Sequence, residues 1–118
     1  MKVICSTCII LGFSSCSTEP TPHDIAVEFV SALRDGQCEK ALDLTNELSK
    51  AADMMEKMIA DGCVSDIHDF KSIDCQTTGE VSECSCYQTE TGETKNVVYD
   101  LIRVDGSWKV TNFEELDY

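Results

Sequence analysis

Cysteine is the residue with most chemistry to offer in this sequence, and there are eight. Thiolates ligate metals, exchange electrons or cross-link chains, and spacing helps to separate these roles. Cys5-x-x-Cys8 taken with Cys84-x-Cys86 has the make-up of a four-thiolate zinc site. Cys5 and Cys8 lie, however, inside residues 3–13, a mostly apolar stretch without charge, preceded by Lys2 and followed by the small residues Ser14 and Ser15. That layout is an export signal, shorter than the roughly 20 residues a helical membrane span needs. Cleavage would remove half of such a zinc site, and it would remove a Cys5-x-x-Cys8 redox pair altogether. No metal and no cofactor is expected.

Beyond Cys16 five cysteines remain: Cys38, Cys63, Cys75, Cys84 and Cys86. In an exported chain they tend to oxidise, and an odd number leaves a thiol over. If Gly79-Glu80 is a two-residue turn, Cys75 stands opposite Cys84, close enough for a bridge. Cys38 and Cys63 flank a helical hairpin and would pin its ends, leaving Cys86 free. The alternative pairs Cys63 with Cys86 and frees Cys38.

Acid–base chemistry finds less to work with. His23 and His68 are the only histidines, and Asp66-Ile67-His68-Asp69 reads as a solvated loop between helix and sheet. Tyr99 and Asp100 are neighbours whose side chains point to opposite faces of a strand. No Gly-rich phosphate loop and no Ser-centred elbow is present. Glu80, Glu83, Glu90 and Glu93 read as a solvated face that keeps a sheet edge from pairing. Met54 and Met58, with Met55 and Ile59, form an adaptable apolar set that suits either a core or a binding surface. Trp108 and Tyr99 are the aromatic candidates for ligand contact, Trp108 reading first as a core residue.

These residues must be positioned by two kinds of element. Thr21-Pro22 caps and starts a first helix, with Asp24 in its first turn and Ile25, Phe29, Ala32 and Leu33 as its apolar stripe. Gly36 ends it. A second helix starts at Cys38, and residues 49–61 continue it or form a third, ended by Gly62. From Phe70 the period becomes two. Residues 70–77 and 80–89 read as a hairpin about Thr78-Gly79 (with Gly79-Glu80 as the other choice of turn), 94–104 as a third strand after Thr91-Gly92, and 107–113 as a fourth after the Asp105-Gly106 turn. Trp108, Val110 and Phe113 are its core candidates, and residues 114–118 read as an acidic tail. Helices first and strands after predict an α+β fold, with two or three N-terminal helices packed on a curved four-stranded antiparallel meander.

Size and charge bound what such a fold can do. The 118 residues suffice for one domain, read here as residues 22–118. Nine basic against 22 acidic residues give a net charge of −13, which argues against nucleic acid as a partner.

Two resemblances add to this reading. Phe13-Ser14-Ser15-Cys16 resembles the lipobox of bacterial lipoproteins. It implies a signal peptide over residues 1–15, a diacylglyceryl (palmitate-type) anchor on Cys16, and a polar tether over residues 16–21. The implied location is the cell envelope, at the outer membrane or surface of a Gram-negative bacterium, with the membrane as partner through the lipid. Residues 26–36 with Glu39-Lys40-Ala41-Leu42, and residues 101–110, resemble small bacterial lipoproteins of unknown function with a lumazine-binding-like domain. These belong to the nuclear transport factor 2-like (cystatin-like) superfamily. The resemblance implies a cone-shaped fold and a non-enzymatic domain that binds an envelope protein or a small apolar ligand. It leaves open a small isomerase- or dehydratase-like enzyme, or an exported inhibitor-like interaction module, because this fold hosts many functions.

Overall fold

In the computed structural model, residues 19–90 and 92–116 are described. The expected signal peptide with Cys5 and Cys8, the lipid site Cys16, and Thr91, Asp117 and Tyr118 lie outside the described residues.

Helix α1 (Pro22–Arg34) starts where local chemistry requires. The Thr21 hydroxyl accepts from the Asp24 amide at 3.1 Å, and the Asp24 carboxylate accepts from the Thr21 amide at 3.1 Å. This reciprocal box satisfies two otherwise orphaned donors, and Pro22 fits the first turn. The helix ends in a Schellman turn, with Gln37 N–H donating to Ala32 O and Gly36 N–H to Leu33 O. Helix α2 (Cys38–Asp43) follows, and helix α3 (Lys50–Ala60) is a separate element capped by the Ser49 hydroxyl. It closes with the same turn, Cys63 N–H to Met58 O and Gly62 N–H to Ile59 O. A disulfide joins Cys38 to Cys63 across 25 residues, tying the start of α2 to the end of α3. Among the described residues no helix is long and apolar enough to cross a membrane.

Strands β1 (Ile67–Thr78), β2 (Val81–Glu90), β3 (Glu93–Val104) and β4 (Ser107–Leu116) form an antiparallel meander in sequence order. Gly79-Glu80 connects Thr78 to Val81, which sets Cys75 opposite Cys84, and these two are bonded. Asp105-Gly106 closes β3–β4 with φ values of 52° and 81°, the primed turn that matches strand twist. The free edge of β4 is partly covered, since Leu44 O and Asn46 N–H both bond the Val110 backbone at 2.8 Å.

Three bulges bend this sheet. His68 and Lys71 are extra residues in β1, and Thr111 is extra in β4. A bulge adds a residue to one strand and sharpens its twist. Inward-facing β1 residues are therefore Ile67, Phe70, Ile73 and Cys75, spaced by three, three and two. The solvated loop expected at residues 66–69 is corrected on this point: Ile67 onward is strand. In β4, Trp108 and Val110 face inward, and the bulge shifts the phase so that Phe113 does too. The expected acidic tail is likewise strand, because Glu114 and Glu115 pair with Val98 and Val97.

The concave face packs on the helices. Phe29, Val30, Met55, Cys84, Cys86, Tyr99, Leu101 and Val110 are essentially inaccessible, and Trp108 is buried in the same core. The tether is not wholly free: Thr21 caps α1, and Glu19 Oε1 accepts from Arg103 Nη2 at 2.8 Å. This places the start of the described chain beside the Asp105-Gly106 turn. Glu83 and Glu93 sit on the two inner strands, so they do not guard a sheet edge as expected.

Candidate functional site

The strands and helices diverge at the end of the sheet opposite the two tight turns, and a cavity of about 380 Å³ opens there. Each wall has a different origin. Leu33 comes from the last turn of α1, Met58 from the last turn of α3, Val97 and Tyr99 from β3, and Phe113 from β4. A larger groove, about 900 Å³, lies at the other end between the α2–α3 connection and the β3–β4 turn. The fully exposed Leu48 stands on its lip, and most of its lining is polar or charged. The smaller cavity is the better candidate because it reaches side chains buried in the core.

Those side chains form a hydrogen-bonded chain. Gln88 continues the inward series Cys84, Cys86, Gln88 and is only 2 % exposed. Its Oε1 accepts from the Tyr99 hydroxyl at 2.8 Å, and its Nε2 donates to the Glu90 carboxylate. A buried polar group without partners would cost about 1–3 kcal/mol, and here both amide ends are occupied. Around them Tyr99 stacks on Phe113 with centroids 5.6 Å apart, and Phe29 meets both rings edge-on at 5.8 and 5.5 Å. Such aromatic pairs favour these geometries, and they stiffen the cavity floor.

Electrostatics at this mouth are one-sided. Asp66, Glu90, Glu114 and Glu115 all line the opening, with no Lys, Arg or His in the same wall. Lys95 stands nearby and pairs with Glu115 at 3.2 Å. The hydrogen bond to Glu115, and the charges of Glu115, Glu90 and Glu93, raise the Lys95 ammonium above its ordinary value. Arg34 is engaged by Asp35 and Asp69 and lies over the Phe70 ring. Burial pushes the Tyr99 hydroxyl well up, as do the nearby Cys86 and Glu90, so it stays a neutral donor. The Cys86 thiol is free and buried, and desolvation with a contribution from Glu90 pushes it up to about 12. It is therefore protonated at neutral pH and a poor nucleophile.

The residues singled out from the sequence are divided by the structure. Tyr99 and Met58 line this cavity. Met54 is half-buried on α3 and Trp108 is buried in the core, and neither lines the mouth or the groove. Cys86 is the thiol left over beside the two disulfides. No group of three or more His, Cys, Asp or Glu able to hold a metal occurs among the described residues. Gln88, Glu90, Asp66, Glu114 and Glu115 were missed as site residues. The signal for Gln88 was present, since a polar residue two positions beyond two inward cysteines must face the core.

No protein-family model and no curated protein sequence matches the chain. Solved structures do. A Nostoc punctiforme protein of unknown function with a cystatin-like fold superposes with a TM-score of 0.60 at 13% identity, over 82% of this chain and 92% of that one. An NTF2-like protein of unknown function from Cytophaga hutchinsonii gives 0.57 at 15%, over 84% and 91%. A de novo designed protein with a curved β-sheet gives 0.53 at 14%, over 79% and 97%. At these identities the likeness establishes the fold: helices followed by a four-stranded antiparallel sheet, of the cystatin-like and nuclear transport factor 2-like type.

Proposed function

We propose that this chain is an exported lipoprotein of the bacterial cell envelope, anchored through Cys16, whose domain binds a small ligand with an apolar body. The observation that carries the binding reading is the cavity at the open end of the sheet, floored by Tyr99, Phe113 and Val97. Two disulfides support folding in an oxidising compartment outside the cytosol. The lipobox-like Phe13-Ser14-Ser15-Cys16 and the resemblance to lumazine-binding-like lipoproteins support the anchor.

Binding without turnover is favoured over an isomerase- or dehydratase-like activity by the wiring of the cavity. General acid–base chemistry needs a titratable group within reach of substrate and free to exchange a proton. Here the Tyr99 hydroxyl is engaged by Gln88, Glu90 accepts from Gln88, Glu115 pairs with Lys95, Asp66 and Glu114 stand exposed at the rim, and Asp100 lies on the opposite face of β3. An inhibitor-like module would instead present a continuous apolar loop surface. The most exposed apolar residues, Leu48 and Val64, stand at opposite ends of α3.

The anchor is tested by growing cells with labelled palmitate and comparing the full chain with Cys16→Ala. Label on the wild type alone is expected, and label on neither overturns the anchor. Binding is tested by amide chemical-shift mapping of residues 19–118 with a panel of small apolar compounds. Shifts clustering at Leu33, Val97 and Phe113 are expected, and shifts confined to the groove at the other end overturn the assignment.

A further inference from the structure

The geometry points to a cationic ligand: an ammonium group attached to an apolar or aromatic body, the body seated between α1 and β3–β4 and the charge held at the acidic mouth. This rests on reading the cavity as a ligand site and adds what the ligand must carry.

The argument runs by elimination over charge. An anion entering this mouth would meet Asp66, Glu90 and Glu114, with Glu115 already paired to Lys95, and find no basic side chain in the lining to receive it. The one buried polar side chain in the wall, Gln88, already accepts from Tyr99 and donates to Glu90. A neutral apolar ligand would gain only the burial of its surface. A cation gains that burial and the field of the rim, which walls of low polarity focus into the opening. The aromatic floor adds to this, because Phe113 is half-buried and its ring borders the space, and ring faces attract ammonium groups. Glu90 ends β2, Glu114 and Glu115 are neighbours on opposite faces of β4, and Asp66 lies on the α3–β1 connection, so the carboxylates do not converge on a point. That suits a diffuse organic cation better than a bare metal ion.

General acidity of the chain does not explain the pattern. The groove at the other end is also acidic, with Asp43, Glu47, Glu56 and Asp105, yet Lys109 stands among its lining residues. The mouth is the cavity where apolar floor, aromatic rings and a wall without basic residues coincide. Its volume, about 380 Å³, falls at the small end of the range for ligand sites.

The test uses a matched set on the soluble domain, residues 19–118: benzyltrimethylammonium, its uncharged carbon isostere neopentylbenzene, and benzenesulfonate, each followed by amide chemical shifts. The cation is expected to bind at least about tenfold more tightly than the isostere at low salt, with the ratio shrinking as salt is added. Asp66→Asn with Glu114→Gln, both exposed positions, is expected to cut that ratio several-fold. Phe113→Leu should weaken the cation more than the isostere. Equal affinity for cation and isostere overturns the charge inference and leaves the cavity reading standing. Preference for the sulfonate also overturns it. No binding of any of the three up to millimolar concentration overturns both.

Discussion

The two ends of the sheet are built from the same four strands and finish in opposite ways. At one end Gly79-Glu80 and Asp105-Gly106 turn the chain in two residues each, and the strands stay paired up to the turn. At the other end β2 and β3 also stay paired up to a two-residue connection, Glu90 opposite Glu93, but Ile67, Glu90 and Glu115 line a cavity, and polar and acidic side chains occupy inward positions. Closure is local turn chemistry that needs no tertiary partner. The opening arises from bulges that bend the sheet and from residues that break the core pattern, the kind of inconsistency that marks functional surfaces.

Several substitutions break or sharpen this contrast. Phe29→Ala removes the ring that bridges Tyr99 and Phe113, and is expected to cost about 3–5 kcal/mol in denaturant unfolding. It should also enlarge the cavity at the open end, which ligand titration would register. Replacing Cys38 and Cys63 together by Ser releases a 25-residue loop and is expected to cost about 2–4 kcal/mol. That change should loosen the ends of α2 and α3 in hydrogen exchange while the turns at the closed end keep their protection. Tyr99→Phe leaves the buried Gln88 Oε1 without its donor, and about 1–3 kcal/mol should be lost with the aromatic packing intact. Gly106→Ala probes the other end. At φ 81° a Cβ is strained whatever the space, and a cost of about 1 kcal/mol is expected with no effect on ligand binding.

The smallest effect concerns pH. Burial, with Glu83 nearby, raises the Asp100 carboxyl above its ordinary value. Its ionised form thus weighs against the fold above the normal carboxylate range and not below it. Asp100→Asn is expected to stabilise slightly at pH 7 and to lose that advantage as pH falls through about 4, read by midpoints of urea unfolding.

Much of the fold is legible in the sequence because its signals are short-range. Thr21-Pro22 with Asp24, Ser49 before α3, and the two turn dipeptides act within a few residues. The opposition of Cys75 and Cys84 then follows by counting from Gly79-Glu80. What escapes is whatever depends on a bulge. Ile67, Phe70 and Ile73 are spaced by three, so the start of β1 does not alternate and residues 67–69 read as loop. Phe113 is ambiguous until the extra residue at Thr111 fixes its phase. The candidate site suffers most, because it collects at the bulged end. Glu90, Glu114 and Glu115 read as solvated charge, and only the register sets them around one opening. Met54 and Trp108 have suitable chemistry, but they do not line that opening.

The ion pair between Glu19 and Arg103 has a directional consequence. Cys16 precedes Glu19 by three residues, a reach of about 10 Å, and precedes the first residue of α1 by six, about 20 Å. A surface that gripped this polypeptide by Cys16 would lie within about 10 Å of Glu19, near the Asp105-Gly106 turn. The cavity at the far end of the strands would then sit one strand length, roughly 30 Å, from that point of attachment.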